Sequence, residues 1–251
     1  MEMGTSSAKI LSIRDSIANS EYLQPSPLSI SIDKITNSIY EAISKDPHLE
    51  KVTEWHNCNQ CQLHCNRTQV IFGSGSYKSS LVVIGEAPGP TEDTEGVAFC
   101  GPTGSMLRTT LQKLGLDVIN DVYFTNTLGC IPKDSKNSSF RAPNPSEIQA
   151  CLPRLNYILD KIFPNRLATL LLGKPAYVTY KNRNSPDKIS EDNKLLRMGD
   201  VLGWQDKANS TYVAYHPSYI LRRNDKELTQ SWINSLGEIV KLIKEIKNAK
   251  R

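Results

Sequence analysis

The residues of this chain that could do chemistry fall into a cysteine pair and three strand ends. Cys58 and Cys61 have two residues between them in Cys-Asn-Gln-Cys, the bite that soft-metal sites use. Cys65, Cys100, Cys130 and Cys151 complete the six cysteines. In a chain neither small nor evidently secreted, metal binding or burial is expected of them rather than disulfides. The second group begins at Gly85. A Gly-Glu-Ala-Pro-Gly turn (85–89) places a carboxylate, Glu86, directly after the apolar run Leu81–Gly85. An acidic loop, a lone aromatic (Phe99) and a glycine-rich turn, Gly-Pro-Thr-Gly (101–104), follow. Asn126 and His216 end two further apolar stretches. Alone, each feature has a plainer reading: a strand-to-helix turn, a core phenylalanine, a structural histidine. Their convergence is what carries information.

These residues need elements to position them. Apolar runs predict strands over 81–85, 121–130, 167–173 and 211–217. Amphipathic patterns predict helices over 105–116, 144–163 and 174–180, and a long basic-tipped helix closing the chain from Asp225. Strands alternating with helices give an α/β fold with a mainly parallel sheet. In such sheets the site lies outside the carboxyl ends of the strands. Gly85–Gly89, Asn126 and His216 all fall at that edge. Residues 1–50 differ in composition and form an expected N-terminal extension, with one helix suggested by Ile32, Ile35, Ile39 and Ile43; the main domain is expected over 51–251.

The 251 residues carry a net charge of +4, with 39% hydrophobic and 22% charged residues, as in an ordinary globular protein. The mild basicity permits a nucleic-acid partner without requiring one. No stretch approaches the roughly 18 consecutive apolar residues of a membrane span. The first residues lack the apolar core of a secretory signal. A soluble intracellular monomer, with no membrane partner, is expected.

The ordered set Gly-Glu-Ala-Pro-Gly (85–89), Glu-Gly-Val-Ala-Phe (95–99) with Gly101 and Gly104, Tyr-Phe-Thr-Asn-Thr-Leu-Gly-Cys (123–130) and Tyr-His-Pro-Ser-Tyr-Ile-Leu (215–221) resembles the uracil-DNA glycosylase superfamily, in particular its family 4 iron–sulfur type. The resemblance spans about Cys58 to Leu221. It implies a three-layer α/β/α sandwich with a short, mainly parallel central sheet. It implies hydrolysis of the N-glycosidic bond of deoxyuridine in DNA, leaving an abasic site for base-excision repair, with the nucleotide flipped into a pocket. Under that resemblance Phe99 offers a stacking face and Asn126 an amide that matches the O4 and N3–H edge of uracil. His216 donates to O2, where charge gathers as the base leaves. The backbone of Gly85, Glu86 and Ala87 lines the pocket. Glu86 positions water or shapes the C5 side; the two roles stay open. Family 1 enzymes handle the water with an aspartate of this turn, and Ala87 stands in its place here. Cys58, Cys61, Cys130 and Cys151 are implied as ligands of a 4Fe–4S cluster. Zinc fits the same four thiolates, the resemblance favours the cluster, and Cys65 is a spare thiol nearby.

DNA contacts are expected from loops. Ile220 and Leu221 form an apolar wedge for the gap left by the flipped nucleotide, and Arg222 and Arg223 hold phosphates. The turn that opens the helix at Ser105 offers N–H groups to a phosphate. The chain also departs from the family's pattern at Cys100, Pro102 and Thr103, and in a long interval between Cys130 and Cys151. Those departures motivate the rival reading, a non-catalytic DNA-binding accessory protein of replication or repair that keeps the fold. In either reading residues 1–50 could dock a replication or repair partner.

Overall fold

The computed structural model describes residues 47–134, 139–206 and 210–249. The chain divides between Leu49 and Glu50, and the fold below is that of the second unit. The helix expected around Ile32–Ile43, and the partner-docking role of residues 1–50, lie outside the described residues.

Four parallel strands form the sheet: β1 (Leu81–Gly85), β2 (Val122–Asn126), β3 (Ala168–Leu172) and β5 (Thr211–Ala214). A two-residue strand, β4 (Gln205–Asp206), adds an antiparallel edge, giving the order β2-β1-β3-β5-β4. Every residue of β1, β2 and β3 is buried, as expected of a parallel sheet covered on both faces. Side chains alternate between two cores. Leu81, Val83, Val122, Phe124, Leu170 and Leu172 face one side; Val82, Ile84, Tyr123, Leu171 and Val213 face the other.

The first face is covered by α3 (Pro102–Lys113), through Leu107 and Leu111, and by the closing helix α9 (Lys226–Ala249). Along α9 the buried residues are Trp232, Leu236, Ile239, Val240 and Ile243, a single stripe at helical spacing. Each contributes about 1.5–3 kcal/mol by burial. The second face is covered by α4 (Pro145–Tyr157), which continues as one π-helical turn over Ile158–Ile162, and by α5 (Lys174–Lys181) with two short helices, α6 (Lys188–Leu195) and α7 (Met198–Val201). Three further short helices complete the set: α1 (Leu49–His56), α2 (Pro90–Glu95) and α8 (Pro217–Arg223). This is the expected α/β/α sandwich.

The connection after β1 runs outward to β2, and the next crosses back to β3 on the other side of β1. That reversal makes the carboxyl end of β1 a topological switch point, where ligands of such sheets bind. The register pairs Gly85 with Asn126 at the sheet's rim.

Candidate active site and cysteine centre

Gly85 lies where two other groups crowd in. A Cβ built on it would stand 2.3 Å from Asn126 Oδ1 and 2.8 Å from Phe99 Cζ. Only a glycine lets the amide and the ring share this end of β1. The expected second strand, 121–130, stops at Asn126. Beyond it the chain curls over the first turn: the Thr127 N–H donates to Gly85 O (2.9 Å), and the Leu128 N–H and Thr127 hydroxyl donate to Glu86 O.

Phe99 is 5% exposed and has φ +55°, a left-handed conformation that costs a non-glycine residue about 1–2 kcal/mol. Its surroundings enforce it. Arg108 Nε donates to Phe99 O (3.0 Å) and Nη2 to Ala98 O (2.9 Å), while the guanidinium lies 4.0 Å from the Phe124 ring centre. A Cβ on Gly104 would strike Phe99 O at 2.0 Å, so α3 packs directly on this backbone. The Phe99 ring lies 5.5 Å from Phe124 and 6.3 Å from His216.

The expected fourth strand ends at Ala214, and His216 caps α8. Its Nδ1 accepts from the Ser218 N–H (3.2 Å) and sits 2.8 Å from the Ser218 hydroxyl. An acceptor at Nδ1 puts the proton of the neutral ring on Nε2. Burial holds the imidazole far below its usual range, at about 4; Arg222 lowers it further and Glu92 opposes. His216 is therefore a neutral donor at pH 7.

Glu86 is half-buried, and burial raises its carboxyl above the ordinary range against the pull of the Lys174 ammonium. Lys174 Nζ is itself bound to Asn193 O (2.7 Å) and Leu196 O (3.2 Å). Ala87 is half-buried against the second core.

Three residues that the sequence reading passed over organise this rim. Glu92 is 8% exposed and accepts from the Gly89 N–H (3.1 Å) and the Gly101 N–H (2.9 Å). One carboxylate thus braces the turn before α2 and the turn before α3. Its place three residues after Gly89, behind Pro90, is capping-box spacing and was a legible signal. Arg108 and Arg154, the latter fully buried and bonded to Asn126 O, had no such signal.

Two expectations about DNA contact are corrected. Ile220 is 1% exposed in the first core, while Leu221 is 46% exposed, with Arg222 and Arg223 exposed after it. Neighbours on a helix point about 100° apart, so only Leu221 projects. The backbone N–H of Ser105 is spent on Gly101 O (2.9 Å), which leaves only its exposed hydroxyl for a phosphate.

The cysteines gather at the base of the same loops. Cys130 is buried; Cys58, Cys61 and Cys151 are half-buried. Burial pushes the Cys61 thiol up, and the charges of Cys151 and Cys58 add to it. Burial, then Cys151, pushes Cys130 to about 12. All four pack on the second core. Arg67 donates to Cys130 Sγ (3.5 Å), and the Gly129 N–H (3.3 Å) and Arg154 Nε (3.4 Å) donate to Cys151 Sγ. Donors aimed at sulfur suit cluster thiolates. Among the described residues no group of three or more His, Cys, Asp or Glu side chains is placed to hold a metal ion. Cys65 is exposed at the end of a 3-10 turn (Gln62–Cys65), 3.4 Å from His64 Nε2.

Residues 72–237 match the family model described as the Uracil DNA glycosylase superfamily. The chain belongs to that superfamily. It also stands among the type-4 uracil-DNA glycosylases. It is 32% identical to the type-4 uracil-DNA glycosylase of Pyrobaculum aerophilum over 168 residues, 66% of this chain and 81% of that protein. It is 31% identical to the type-4 enzyme of Archaeoglobus fulgidus and 29% identical to that of Thermotoga maritima, each alignment covering 75% of this chain and 90% of the relative. The expected fold, family and hydrolase class agree with these likenesses. Among the described residues no helix is long and apolar enough to cross a membrane.

Proposed function

We propose that this chain is a monofunctional uracil-DNA glycosylase that hydrolyses the N-glycosidic bond of a flipped-out deoxyuridine and leaves an abasic site. One observation carries the reading: the Asn126 amide and the Phe99 ring meet over Gly85, with the His216 ring 6.3 Å from Phe99. The flipped pyrimidine stacks on Phe99, worth about 1–3 kcal/mol. Asn126 presents a donor and an acceptor to O4 and N3–H. Nε2–H of His216 donates to O2, where negative charge develops as the bond breaks, and a neutral donor in a buried setting meets that charge without reorganisation. Glu86, with its raised carboxyl, stands at the turn where water or the C5 side of the base is handled. Lys174, bound by two carbonyls, is not poised for Schiff-base chemistry, in keeping with hydrolysis and no strand cleavage.

Cys58, Cys61, Cys130 and Cys151 would hold a 4Fe–4S cluster. The resemblance to the iron–sulfur type favours a cluster over zinc at these thiolates, and the N–H groups aimed at two of the sulfurs are in keeping with it. Those ligands would come from the segment before β1, the loop after β2 and α4. Leu221, on the helix that His216 caps, fills the gap left by the nucleotide, and Arg222 and Arg223 meet phosphates.

The test is uracil release from an oligonucleotide with a single deoxyuridine, with alkali to reveal abasic sites. Wild-type protein should convert the strand, and Asn126→Ala should lose at least about a hundredfold in rate, as for loss of a main transition-state contact. Protein that shifts DNA on a gel but releases no uracil would establish the accessory-protein reading instead.

A further inference from the structure

Arg154 is a polar position of α4, yet it is 0% exposed. A buried guanidinium costs several kcal/mol unless its donors are matched. All five N–H groups have acceptors. Nη1 donates to Phe72 O (2.8 Å) and Thr125 Oγ1 (3.1 Å), Nη2 to Asn126 O and Thr127 O (3.3 Å), and Nε to Cys151 Sγ (3.4 Å). No carboxylate pairs with it among the described residues. One rigid, planar group therefore grips the backbone that carries the Asn126 amide with one end and a cysteine of the metal centre with the other.

We propose that Arg154 is a positioning residue that sets Asn126 through the backbone of β2 and makes its position depend on the cysteine centre. When Cys151 is a cluster ligand its sulfur is an anionic acceptor, and a charge-assisted bond from Nε holds the fork in plane. The fork then fixes the carbonyls of Asn126 and Thr127, and with them the angle at which the amide meets a base. Without the cluster that anchor weakens and the end of β2 loosens. The proposal rests on the reading above, that these cysteines hold a cluster and that Asn126 reads the base.

Arg154→Lys keeps a cation but cannot bridge sulfur and carbonyls at once. The control is Arg166→Lys. Arg166 binds Thr169 Oγ1 (2.8 Å), Leu159 O (2.7 Å) and Phe163 O (2.9 Å), with no bond to a cysteine or to β2. Each protein is purified anaerobically, matched for iron by assay and visible absorbance, and assayed below its melting temperature. Arg154→Lys at full iron should lose about 10- to 100-fold in kcat, as for other outer-shell partners; Arg166→Lys should lose stability alone. Amide exchange over residues 124–128 should quicken in Arg154→Lys and in iron-depleted wild type. Arg154→Lys with full iron, wild-type kcat and wild-type exchange would overturn the proposal. So would iron-depleted wild type with unchanged exchange at 124–128, a measurement that needs no variant. Failure of the wild type to release uracil would instead strike the functional reading, with exchange still reporting on the tether.

Discussion

His216 shows how one residue's surroundings set its chemistry. Burial, with Arg222 close by, holds the folded-state imidazole at about 4, with Glu92 pulling the other way. An unfolded chain takes up this proton below about 6.5. The contribution to stability is therefore full above pH 6.5 and is lost as pH falls toward 4, on the order of 3 kcal/mol over that window. His216→Gln removes the titration. Melting curves at intervals from pH 7.5 to 4 should show the wild type losing ground to the variant only below about 6.5. A constant difference across the range would mean that the ring is not held neutral.

At the scale of elements, the site depends on how strand ends and helix starts are locked together. Glu92 joins the start of α2 to the start of α3 through two backbone N–H groups, and α3 in turn supports the strained backbone of Phe99. Glu92→Gln keeps one acceptor oxygen and turns an amide donor toward the other N–H. A buried N–H without its partner costs about 1–3 kcal/mol. The variant should melt lower by that amount and release uracil more slowly, measured by calorimetry and single-turnover kinetics. Unchanged values in both would show that the two turns hold their shape without the brace. The strands themselves were legible: β1 and β3 follow the apolar runs to within a residue, because a parallel strand buried on both faces must be apolar throughout. The edge strand β4 and helices α1, α6 and α7 were not. Short, polar or uncapped segments acquire structure from the neighbours they pack on rather than from their own pattern.

For the whole molecule, the question is which surfaces face the DNA and which face the core. α8 carries His216 at its start and Leu221 in its last turn, so docking of one rigid helix places both. Ile220→Ala should destabilise the fold by about 2–5 kcal/mol, as for a core truncation. Leu221→Ala should leave the melting temperature nearly unchanged and slow uracil release from duplex more than from single-stranded DNA, because only a duplex leaves a gap to fill. Equal slowing on both substrates would remove the wedge role.

By itself, the sequence determined the alternation of strands and helices, the strand ends that carry Gly85–Gly89, Asn126 and His216, and the cysteines that stand before and between them. These are properties of residue type and spacing, and they survive reading along a line. Tertiary structure alone decided which of Ile220 and Leu221 reaches solvent, because either could face the core until α8 is docked. It alone turned Glu92 into a brace and Arg154 into a link between β2 and Cys151. Their partners lie up to 82 residues away, and a charged side chain on a helix reads as solvated until the fold supplies buried acceptors for every donor it carries.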